Sequence, residues 1–190
     1  MERMFIYFLV ATLALLALAV AGNMLYLAAR QTLRAYLRFR GTRVVVCPET
    51  RQHVAVEVDA RHAAATAAEG EPELRLKSCT RWPARADCDQ DCAWQIECAP
   101  ADCLVRTIVE SWYEGKACVF CHKSIGAINW HEHQPALLTP EHFTVKWDEI
   151  APEQLPTVFK TYQPVCWNCH IAESFRATHP ELVVERPWVH

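Results

Sequence analysis

Between residues 4 and 29 the chain carries no charged side chain, and this apolar run is the strongest pattern in it. At helical rise the run is about 39 Å long, enough to cross a hydrocarbon core of about 30 Å with some tilt. The pattern predicts one transmembrane helix. A cleaved signal peptide competes, because Ala19-Val20-Ala21 forms a small-x-small site. Against cleavage, the preceding Glu2 and Arg3 are nearly neutral together, and the run continues past that site through Leu25, Tyr26 and Leu27. Arg30, Arg34 and Arg38 then recur every four residues, with Leu33 and Leu37 on another face. That spacing predicts a helix passing beyond the membrane surface with its arginines among lipid headgroups. Ala14, Ala17, Ala21 and Ala28 fall close to one face, where a neighbouring helix can approach.

Downstream the periodicity shortens. Residues 43–46 and 53–58 read as strands, the second alternating Val54, Val56 and Val58, with Cys47-Pro48-Glu49-Thr50 turning between them. Asp59 is placed to cap an alanine-rich helix ending near Gly70, and 74–77 reads as a third strand leading into Cys79. A helix is expected over 88–97, and a second one capped by Asp102, with Val105, Ile108, Val109 and Trp112 on one face and Gly115 at its end. From Lys116 the pattern becomes a cysteine turn, a hairpin (125–130 with 143–147), a short helix after Pro152 and a last helix opening at Cys166. Pro180 stops that helix, and an extended tail through Pro187 to His190 follows.

These elements define an α+β class: one N-terminal transmembrane helix and a small cysteine-rich domain. Three segments are expected: residues 1–43, the transmembrane and basic juxtamembrane helix; residues 44–115, a cysteine-rich subdomain; and residues 116–190, the subdomain and tail containing two C-x-x-C pairs.

Charge sharpens the picture. Residues 1–43 hold six Arg and one Glu, a net +5 that leaves −8 for the rest of a chain whose total is −3. An acidic soluble part is a poor match for nucleic acid. Arg30, Arg34, Arg38, Arg40 and Arg43 all follow the span, with no acid until Glu49, so the soluble part is expected in the cytoplasm. Thiols stay reduced there, which turns ten Cys from a disulfide framework into candidate metal ligands.

Two motifs carry the chemistry: Cys118-Val119-Phe120-Cys121-His122 and Cys166-Trp167-Asn168-Cys169-His170. Each matches the C-x-x-C-H attachment signature of c-type haem, and each contains the C-x-x-C half-site of a zinc or iron–sulfur centre. Resemblance to c-type cytochromes implies His122 and His170 as axial ligands, with distal ligands from His131, His133, His142 or His179. It also implies a periplasmic domain, against the arginine pattern. The stretch from Lys116 to about Thr178 resembles treble-clef zinc fingers: a C-x-x-C knuckle followed by Lys123-Ser124-Ile125-Gly126, a hairpin, then a second C-x-x-C in the first turn of a helix. That resemblance implies Cys118, Cys121, Cys166 and Cys169 on one zinc ion, with Gly126 freeing the chain to enter the hairpin. Cys166 and Cys169 also lie at the positive end of their helix, which favours thiolates.

Cys88-x3-Cys92 can supply a ligand pair from one helical turn, and Cys47 and Cys79 each follow a strand, so these four form a candidate second centre for zinc or an iron–sulfur cluster. Cys98 and Cys103 remain over as thiols. His131-Glu132-His133 reads as alternating surface residues on a strand. No phosphate loop, GxSxG elbow or HExxH helix occurs, so an enzyme reading has no nucleophile and base, and no small-molecule substrate is indicated. The expected role is a membrane-anchored accessory or docking subunit of an integral membrane complex, stapled by structural zinc. A dihaem electron-transfer protein or an iron–sulfur relay is the alternative.

Overall fold

A computed structural model describes residues 2–183 apart from Pro83 and Ala86. The chain divides into two compact units, Met1–Gly41 with Glu57–Ser78, and Thr42–Val56 with Cys79–His190.

The first unit is built on α1 (Glu2–Phe39), a single unbroken helix of 38 residues. Its large apolar side chains from Met4 to Leu27 are exposed. It is therefore long and apolar enough to cross a membrane. The helix carries on past Arg30, Arg34 and Arg38, as their four-residue spacing anticipates. Against its last turns packs α2 (Ala60–Thr66), whose Ala60, Ala63 and Ala64 are buried. Alanine suits this contact because a side chain of one methyl lets two backbones approach closely.

Asp59 is the cap of α2, and its Oδ1 accepts from the His62 backbone N–H at 3.0 Å. Its Oδ2 accepts from Arg75 at 2.9 Å. The helix proper stops at Thr66, earlier than expected, and turns carry the chain to Gly70, whose N–H still donates to Thr66. The His62 N–H, then Arg75, hold the Asp59 carboxyl below its ordinary range. Its contribution is thus present at neutral pH and lost as pH falls through that lowered value. Asp59→Ala should lower stability at neutral pH, and in urea titrations the deficit should hold down to about pH 4 and shrink only below it.

A three-stranded sheet in the order β1-β2-β3 joins β1 (Thr42–Val46), β2 (His53–Val58) and β3 (Leu76–Cys79), the last displaced two residues from its expected place. In the second unit, α3 (Ala93–Cys98) begins later than the expected helix over 88–97, because Gln90 has a φ of 60°, which interrupts a right-handed helix. Next comes α4 (Val105–Tyr113). Its cap is Leu104 and not Asp102: Val44 N–H donates to Cys103 at 2.8 Å and Arg43 bridges Leu104, so strand-like pairing holds the chain extended until helix begins. Gly115 follows the helix with a φ of 70°.

The second sheet has the order β5-β4-β6, with β4 (Ala136–Leu138), β5 (Thr144–Lys146) and β6 (Gln163–Val165), antiparallel throughout. The hairpin is therefore β4 with β5, and the expected strand over 125–130 is absent. That segment is irregular, and its Ile125, Ile128 and Trp130 pack against the core without joining a ladder. All three residues of β4 are buried, so no alternation marks it; Pro135 and Pro140 bracket a plain apolar run. Leu137 joins Val44, Val105, Val109, Tyr113 and Leu155 in one core, while Ala136 and Leu138 face a second core with Cys118 and Val165. Tyr113 Oη donates to the Ala136 carbonyl at 2.6 Å, fixing α4 to this central strand.

Between β5 and β6 lie two 3-10 turns and α5 (Leu155–Val158). The last helix, α6 (Trp167–Thr178), is capped by Cys166. The residues after Pro180 open with a 3-10 turn, Pro180–Leu182, rather than an extended strand, and the tail with Pro187 and His190 lies outside the described residues.

Candidate metal centre

The turn at Cys118 is a tight knuckle. Cys118 N–H donates to Lys123 O at 2.9 Å, and His122 N–H returns to Cys118 O at 2.9 Å. An Ala117–Ser124 bridge and Ile125 N–H on Lys116 O at 2.8 Å close its base. The left-handed residue that the turn needs is His122, with φ 57°. The role expected of Gly126 is thus filled four residues earlier, since Gly126 has no left-handed φ.

Two contacts bring the second pair to the knuckle. Val119 N–H donates to Pro164 O at 3.0 Å, so the knuckle docks on β6, which runs directly into Cys166. On α6, His170 Nδ1 pairs with Thr144 Oγ1 at 2.9 Å, tying the helix to β5. Cys166 at the cap and Cys169 one turn further then face Cys118 and Cys121. All four Sγ atoms lie within 4.8 Å of one another, and Cys121 Sγ is 3.7 Å from Cys166 Sγ. These four are compatible with one metal ion. Cys118 is buried and the other three are half-buried.

The sulfurs are electrostatically unequal. Burial opposes ionisation of Cys118, but the N–H groups of Cys166, Cys121 and Phe120 aimed at its sulfur outweigh burial and hold its pKa at about 6. Burial first, then the neighbouring sulfurs, push the Cys169 thiol up, and burial likewise raises Cys166. Four thiolates this close repel one another, and a divalent cation among them reverses that penalty by pairing with each.

Of the histidines suggested for haem, His122 is exposed and turns the knuckle, and His170 is buried, with Thr144 and Ser174 near Nδ1. His131 and His133 are exposed on a turn rather than a strand, and His142 and His179 are also exposed. The part played by His170 and Thr144 in aiming α6 was invisible in sequence spacing, because Thr144 lies 26 residues away.

The second candidate set is not brought together as closely: among the described residues, Cys118, Cys121, Cys166 and Cys169 are the group whose ligand atoms meet within 4.8 Å, and Cys47, Cys79, Cys88 and Cys92 are not. Cys47 and Cys92 are buried and Cys79 and Cys88 half-buried, whereas Cys98 is exposed. Cys103 Sγ lies 3.8 Å from the Gln95 carbonyl. All ten cysteines are free thiols.

No protein-family model, curated protein or solved structure matches the chain. What is defined is a mixed helix-and-strand protein with one apolar helix long enough to span a membrane and a four-cysteine cluster able to hold a metal ion.

Proposed function

We propose that the protein is a single-span membrane protein whose soluble part is stapled by structural zinc at Cys118, Cys121, Cys166 and Cys169, and that it serves as an accessory or docking subunit of an integral membrane complex. The carrying observation is the convergence of the four sulfurs within 4.8 Å. A tetrahedral ion with bonds of about 2.3 Å has sulfurs about 3.8 Å apart, close to the 3.7 Å between Cys121 and Cys166. A four-iron cluster needs wider spacing, since each sulfur ligates a different iron. Two haems need the C-x-x-C pairs apart, each beside its own porphyrin, whereas here they face one another. The order knuckle, hairpin, helix supports the treble-clef resemblance, with the 3-10 turns, α5 and β6 as an insertion.

On this reading the soluble part is cytoplasmic, as the arginines after the apolar helix favour, and Arg30 to Arg43 lie among lipid headgroups. The ion stabilises and does no redox work. The test is metal analysis and an absorption spectrum of the full chain purified in detergent. Zinc with no visible bands, one equivalent of it lost in Cys169→Ser, is expected; sharp haem bands or iron at this site would overturn the zinc assignment. Co-purification with other membrane proteins in mild detergent checks the docking role, and a purely monomeric preparation counts against it.

A further inference from the structure

The turn after β1 repeats the backbone of the knuckle at Cys118, residue for residue. Cys47 N–H donates to Gln52 O, five residues on, at 2.9 Å, as Cys118 donates to Lys123. Arg51 N–H returns to Cys47 O at 2.7 Å, as His122 returns to Cys118. The fifth residue is left-handed in both, Arg51 and His122 each having φ 57°. In both, the sulfur accepts from the backbone N–H groups two and three residues ahead, Glu49 and Thr50 here, Phe120 and Cys121 there. A non-glycine residue in the left-handed region is uncommon, and this turn aims two N–H dipoles at one buried sulfur, an environment that stabilises a thiolate. Of the side-chain differences, the one that removes a ligand is at the fourth position, where Thr50 stands in place of Cys121.

Two elements that carry further cysteines are held close to this turn. Gln95 on α3 clamps the end of β1, its Oε1 accepting from Val46 N–H at 3.1 Å and its Nε2 donating to Val46 O at 2.7 Å. This brings the start of α3, where Cys92 is the cap, beside Cys47. Across the sheet, Thr80 N–H donates to Ala55 O at 3.0 Å and its Oγ1 accepts from Ala55 N–H, which holds Cys79 at the adjoining strand end. Arg81 donates to Cys47 Sγ at 2.8 Å and to Glu49 at 3.2 Å, setting a cation against the sulfur.

We propose that Cys47, Cys79, Cys88 and Cys92 form a second four-thiolate site for zinc, built on a turn with the backbone of the Cys118 knuckle and drawing its other ligands from β3 and the approach to α3. Cys79, Cys47 and Cys88 all lie near enough to Cys92 to act on it electrostatically. A zinc ion with four thiolates carries two negative charges, and Arg81 offsets part of them. The set shares no residue with the C-terminal centre, so the two sites stand or fall separately.

The test uses the full chain in detergent, with zinc as the probe. Two zinc per chain are expected in the native sequence, one in Cys79→Ser and in Cys92→Ser, and two in Cys98→Ser. A measurement on the unaltered protein covers the case in which those variants do not fold: of ten cysteines, two should react rapidly with a thiol reagent when zinc is bound and all ten after chelation and denaturation. Six rapidly reacting thiols with one zinc per chain, full zinc content in both Cys79→Ser and Cys92→Ser, or iron in place of zinc would each overturn the assignment. Loss of zinc in Cys169→Ser alone would report on the C-terminal centre and leave this one intact.

Discussion

Cys118→Ser should unfold the segment from Lys116 to Thr178 and not merely weaken it. Cys118 is fully buried in the smaller core, with Ala136, Leu138 and Val165, and it joins the knuckle to the start of α6. Structural zinc contributes about 10–16 kcal/mol of apparent binding free energy in small zinc domains, as large as the total stability of a typical domain, about 5–15 kcal/mol. Loss of the site therefore exceeds what the remaining core can supply. Limited proteolysis should cut the variant within this segment under conditions that leave the native chain intact, and chelation should reproduce the cleavage pattern. Cys98→Ser, at an exposed thiol, should behave as the native chain does. A Cys118→Ser protein that resists protease as well as the native one would mean that the cluster is not a staple.

The second large effect separates packing from metal binding. Leu137 is fully buried in the larger core, while Ala136 and Leu138, its neighbours on β4, face the cysteines. Because side chains alternate across a strand, Leu137→Ala opens a cavity on the side away from the four cysteines. The expected cost is about 2–5 kcal/mol in denaturant titrations at saturating zinc, with zinc stoichiometry unchanged. Reduced zinc content in a folded Leu137→Ala protein would show that β4 transmits strain between its two faces.

How far the sequence could be read depended on where each signal resided. The long apolar helix and the Asp59 cap rest on side-chain pattern, and both stand where that pattern puts them. The convergence of Cys118, Cys121, Cys166 and Cys169 was legible because two C-x-x-C spacings have few uses and one opens a helix. The hairpin was half legible. Residues 144–146 are β5, but its partner is Ala136–Leu138 and not 125–130, since a strand buried on both faces has no period to detect and the isoleucines of 125–130 pack from an irregular backbone. The entry into α4 was set by pairing between Val44 and Cys103, 59 positions apart, which no local capping rule contains. The likeness between the Cys47 and Cys118 turns was hidden for another reason: it is written in φ angles and N–H directions, and Thr50 removes the letter by which the motif is recognised.

The interleaving of the two units bears on how the protein can be cut. The chain passes from one unit to the other three times, at Gly41, Val56 and Ser78, so no single cleavage point separates them. A water-soluble fragment made by deleting α1 would retain α2 while removing the surface that α2 packs against, leaving Ala60, Ala63 and Ala64 without that cover. The end of α1 is thus a scaffold, and a shortened chain meant to keep its shape must keep the last turns of α1 from about Ala29 onward, whose Thr32, Leu33 and Tyr36 line the groove beside Arg61, Ala64 and Ala65.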